Sequence, residues 1–119
     1  MTHKKARHII RWFLKRFNMQ DWSCELLYIG QEPPLWVGDY KIEPHLRAQV
    51  MWRDQTKEFR VWLRESPDTQ EDLFHELVHV ALEDVQPGFD AGRAEEVLVS
   101  AVAKALNDLY RKEYPDGVS

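Results

Sequence analysis

Apolar positions recur at helical spacing from the start of the chain. Ile9, Ile10, Phe13, Leu14 and Phe17 share one face of a helix predicted between about His3 and Asn18. After a break at 18–21, Trp22 to Ile29 reads as a strand, with Trp22, Cys24, Leu26 and Tyr28 expected on one side. A loop follows, marked by Gly30, Pro33, Pro34 and Gly38, whose Leu35, Trp36, Val37 and Tyr40 are expected to cover the core, or else to flank a cleft. Two stretches of strict alternation come next. In His45–Arg53, Leu46, Ala48, Val50 and Trp52 alternate with polar or long side chains, and in Lys57–Glu65 Phe59, Val61 and Leu63 do the same. The polar turn Asp54-Gln55-Thr56 joins them as a β-hairpin. Arg47, Arg53, Arg60 and Arg64 fall on its outward face, the ordinary polar side of an antiparallel sheet.

The period then returns to 3.6. Ser66 is expected to cap a helix from about Pro67 to Asp84, with Pro67 at its first position and Asp68 and Glu71 at the positive end of its dipole. Pro87-Gly88 ends it, Asp90 is placed to cap the next, and a last helix runs from about Ala91 to Glu113 before Pro115 and Gly117. The expected architecture is a single α+β domain over residues 1–119: an N-terminal helix, a small three-stranded, mainly antiparallel sheet, and two C-terminal helices.

Composition narrows the chemistry. At 119 residues with 44% hydrophobic content, the chain has material for one core. No apolar run approaches the roughly 20 residues of a membrane span, and the start lacks a signal-peptide core, so a soluble cytoplasmic protein is expected. Cys24 is the only cysteine. It excludes an internal disulfide and a Cys-rich zinc site, and reads as a small buried hydrophobe. Charge is unevenly spread: residues 1–20 carry Lys4, Lys5, Arg7, Arg11, Lys15 and Arg16 and no acid, leaving ten bases against twenty acids elsewhere for a net −4. A basic first helix on an acidic body fits a nucleic-acid or other anionic partner, or a plain solvated face.

The polar gap in the second helical stretch carries the candidate chemistry. His75-Glu76-Leu77-Val78-His79 is an H-E-x-x-H pattern, whose two histidines, four apart, project from one helix face toward one metal ion. Leu73, Phe74, Leu77, Val78, Val80 and Ala81 coat most of that helix, so unpartnered imidazoles and a carboxylate would be costly there. A third ligand is sought on the final helix. Leu98, Val99, Val102, Leu106 and Leu109 form an apolar stripe that includes Glu95, whereas Glu96 groups with Ser100, Lys104 and Asn107. Glu95 is therefore the expected third ligand. Glu83 and Asp72 are expected to lie around the site or on the surface, His45 at a strand start, and His3 and His8 toward solvent.

His75, Glu76 and His79 followed by Glu95 on the next helix resemble the zincin metallopeptidases, in the gluzincin arrangement with a glutamate third ligand. The compact order is similar to minimal gluzincins such as the ImmA/IrrE-like peptidases and small phage or plasmid peptidases. The resemblance implies Zn2+ held by His75, His79 and Glu95, with Glu76 as general base toward a metal-bound water and peptide bonds as substrate. It also implies that a strand of the 45–65 hairpin pairs with an extended peptide. Other divalent metals suit such ligands too. Two other readings are a catalytically inactive zincin-fold binding protein and a nucleic-acid-associated protein using the basic first helix.

Overall fold

In the computed structural model, residues 1–32, 46–88 and 92–115 are described. The expected cover residues Leu35, Trp36, Val37 and Tyr40, the strand-start His45, the capping Asp90 and the closing Gly117 lie outside them. Among the described residues, three helices and three strands follow in the order α1 (His3–Arg16), β1 (Ser23–Gly30), β2 (Ala48–Arg53), β3 (Glu58–Arg64), α2 (Thr69–Val85) and α3 (Arg93–Glu113). The α+β class is as the pattern predicts.

The sheet is mixed, with strand order β1-β3-β2, and is not mainly antiparallel. β2 pairs with β3 as the expected antiparallel hairpin, Arg53 facing Glu58 and Ala48 facing Leu63. β1, however, runs parallel to β3 on its other side. Two physical features account for this. β3 is the most deeply buried strand, with Phe59, Val61, Trp62 and Leu63 all buried, and burial on both faces suits the central position. The link from Gly30 to Ala48 is long enough for the crossover that parallel pairing needs, about a dozen residues or more.

A bulge in β1 changes which side chains meet the core. Cys24 faces Phe59 but Leu26, not Glu25, faces Arg60. One extra residue flips the alternation beyond it, so Leu27 and Ile29 pack on the main core while Leu26 is exposed. Tyr28 joins Met51, Trp62 and Leu46 on the opposite face of the sheet. That face was expected to be polar, yet Trp62 on it is fully buried.

α1 closes one side of the core through Ala6, Ile9, Ile10, Phe13 and Leu14, large side chains among them each contributing about 1.5–3 kcal/mol by burial. Thr2 caps it, its hydroxyl accepting the Lys5 amide at 3.1 Å. α2 starts later than expected because Ser66-Pro67-Asp68 forms a turn. Ser66 Oγ accepts the Asp68 amide at 3.1 Å, and Thr69 Oγ1 accepts the Ser66 amide at 2.7 Å. Glu83 is buried and serves the other end of α2, accepting the backbone N–H of Gly88 at 3.0 Å. Gly88 has φ 77, a conformation that favours glycine. α3 then returns antiparallel to α2 through Val99, Ala103, Leu106, Asn107 and Tyr110. His8 is drawn inward rather than left in solvent, its Nδ1 lying 2.8 Å from the Tyr110 hydroxyl.

Candidate metal centre

α2 is apolar on most of its circumference, with Leu73, Phe74, Leu77, Val78 and Val80 buried. This packing fixes the rotation of the helix and leaves His75, Glu76 and His79 half-buried together at a gap facing α3 and β2. The two imidazole rings lie edge to face with centroids 5.0 Å apart, as the four-residue spacing demands.

The acids that meet them come from the first turn of α3. His75 Nε2 lies 3.2 Å from Glu96 Oε2, and His79 Nε2 lies 3.0 Å from Glu96 Oε1. Glu95 approaches the other nitrogen of His79, Nδ1, at 3.5 Å. The structure thus brings both neighbouring acids to the histidines, in different positions. Ligand atoms of His75, His79 and Glu96 all lie within 4.8 Å of one another. Roughly 2.1 Å bonds in tetrahedral geometry require donors about 3.4 Å apart, so small adjustments would suit this trio to a zinc-sized ion.

Glu96 reaches the histidines because of how α3 is rotated. Its buried face is set by Val99, Ala103, Leu106, Asn107 and Tyr110, while Leu98 and Leu109 are exposed. At 3.6 residues per turn, Glu96 lies roughly 35° from the centre of that face and Glu95 roughly 65°. The stripe read from the sequence was displaced by Leu98 and Val102. These two instead border an apolar groove with Phe13, Phe17, Val78 and Val85.

Burial and charge tune the site. Burial lowers the pKa of His75, reinforced by His79 and opposed by Glu96, which favours the neutral imidazole that a metal needs. Glu76 is pushed up to about 8, first by burial, then by the carboxylates of Glu96 and Asp72, against the pull of the Val50 backbone. Asp72 does not orient an imidazole. Its Oδ1 accepts Arg47 Nη2 at 2.6 Å, and its buried Oδ2 has no hydrogen-bond partner among the described residues.

Among the described residues β2 is an edge strand of the sheet. Its Ala48, with Arg47, Asp72, His75, Glu76 and Ser100, lines a cleft of about 410 Å³. Arg47 and Ser100 in this cleft were not singled out from the sequence as site residues, since neither belongs to a recognisable spacing. No protein-family model, curated protein or solved structure matches the chain. Among the described residues, no helix is long and apolar enough to cross a membrane.

Proposed function

We propose that the chain is a zinc-dependent peptidase acting on a protein or peptide, with His75, His79 and Glu96 as metal ligands and Glu76 as general base. The observation that carries this reading is the convergence of two Nε2 atoms on one carboxylate, at 3.2 and 3.0 Å, beside the half-buried Glu76. Glu95, on His79 Nδ1, takes the place of the carboxylates that orient metal-bound histidines. This differs from the ligand set implied by the family resemblance, in which Glu95 itself coordinates.

A bound divalent ion would supply Lewis acidity toward a carbonyl and acidify a water in the cleft. The remaining steps belong to the chain. Glu76, alongside His75, receives a proton on its carboxylate and returns it to the departing amine. Without a metal, burial first and the acids Glu96 and Asp72 second push its pKa up to about 8, and a nearby cation would favour the ionised base. Among the described residues no strand pairs with the outer edge of β2, which would offer backbone groups to an extended peptide running along the cleft past Glu76. Arg47 borders that path, held by Asp68 and Asp72.

Glu76→Gln tests the reading. Zinc content should be unchanged, while cleavage of an unfolded protein substrate falls by roughly 100-fold or more. Unchanged cleavage removes the peptidase assignment. Retained zinc with no cleavage even in the parent protein favours a binding protein on the same fold.

A further inference from the structure

We infer that the groove between α1 and the C-terminal end of α3 is a binding site for single-stranded nucleic acid. It is a different place from the metal centre and does not depend on it. The groove has a volume of about 890 Å³ and is lined chiefly by His8, Arg11, Trp12, Lys15, Arg16 and Tyr114.

Three observations point to this ligand. The first is the arrangement of cations. At 100° per residue Lys4, Arg7, Arg11 and Lys15 fall on one stripe of α1, all four exposed. Among the described residues, no carboxylate forms an ion pair with Arg7, Arg11 or Lys15. The first twenty residues hold no acid at all, although the chain as a whole is net negative. A cationic strip on an acidic protein attracts a polyanion locally.

The second observation separates nucleic acid from a lipid surface. An amphipathic basic helix that binds membranes inserts its apolar face. Here Ala6, Ile9, Ile10, Phe13 and Leu14 of that face are buried in the core, with Phe17 exposed just beyond the helix end, so α1 itself presents its charged face to solvent.

The third is the aromatic material set among the cations. His8 and Tyr114 meet edge to face at 4.7 Å, and the Arg16 guanidinium lies 4.4 Å over the Trp12 ring. Aromatic and guanidinium planes interleaved with bases are what unpaired nucleobases stack on, with little sequence preference. Glu113 is the acid in the groove, and it is engaged by Arg16 at 2.8 Å and by Trp12 Nε1 at 2.5 Å. Its charge is thereby offset where a phosphate chain would pass.

The test is fluorescence anisotropy of a labelled 20-nucleotide oligo(dT), with EDTA present so that the metal centre plays no part. The parent protein should bind it, and four phosphate contacts would weaken binding roughly 50-fold between 50 and 200 mM salt. Arg11→Ala with Lys15→Ala, both at exposed positions, should weaken binding at least about 10-fold and flatten the salt slope by about 0.7 unit per cation lost. Tyr114→Ala should weaken it at unchanged salt slope, as a stacking contact does. The inference is overturned by no binding at 50 mM salt, by variants that bind like the parent, or by a duplex of equal length binding as tightly. Binding to phosphatidylserine vesicles in place of oligo(dT) overturns it as well.

Discussion

The Nε2 atom of His79 lies 3.0 Å from Glu96, an acid supplied by the next helix. Glu95, the neighbouring acid, lies 3.5 Å from Nδ1 of the same imidazole. Ligand atoms of His75, His79 and Glu96 lie within 4.8 Å of one another, close enough for one divalent ion to be held by all three after small adjustments.

Metal affinity is therefore expected to separate the two acids. Glu96→Ala should abolish stoichiometric zinc in the purified protein. Glu95→Ala should keep it with affinity lowered about 10- to 100-fold, the usual cost of removing a partner that orients a ligand. Competition titration against a chelator measures both. The reverse order would make Glu95 the ligand.

The metal-free protein should carry a pH signature of Glu76. Burial raises its pKa from 4.5 to about 8, so the folded state holds this proton more tightly than the unfolded chain. The resulting contribution to stability is fully present below about pH 4.5 and is lost as pH rises through about 8. Glu76→Gln cannot titrate. In EDTA, its melting temperature relative to the parent should rise from pH 5 to pH 9, and a difference independent of pH would contradict the placement of Glu76.

Arg47 is the cation that offsets the buried carboxylate of Asp72. Their bond spans 2.6 Å, and the Asp72 side chain is only 9% exposed. Arg47→Ala leaves that carboxylate without a partner and should cost about 1–3 kcal/mol in a denaturant titration. Adding Asp72→Asn should recover part of the loss. Independent, additive effects of the two substitutions would show that the pair is not coupled.

Cys24 should be a slow nucleophile. Burial pushes its thiol up to about 11, so little thiolate exists near neutrality. Iodoacetamide labelling of the native protein should accelerate with pH and show no plateau up to about pH 10, whereas the denatured chain should level off earlier. An early plateau in the native protein would place the thiol in a more open setting.

Much of this fold was legible in the order of residues, since it rests on local periodicity. The α1 face, the β2–β3 hairpin and the α2 segment holding His75 and His79 follow from spacings of 3.6 and 2. Imidazoles four apart on a helix meet whatever surrounds them. The basic strip on α1 is equally local. What tertiary structure alone decided involves choices among nearly equivalent partners. β1 lies parallel beside β3 because the central place goes to the strand buried on both faces, and the bulge after Cys24 turns Leu27 and Ile29 inward. Glu96 reaches the two histidines because α3 is rotated by its packing through Val99, Ala103 and Tyr110. The sequence stripe overweighted Leu98 and Leu109, which this packing leaves exposed. A helix carrying more apolar residues than its neighbour covers has no unique face until that neighbour is in place.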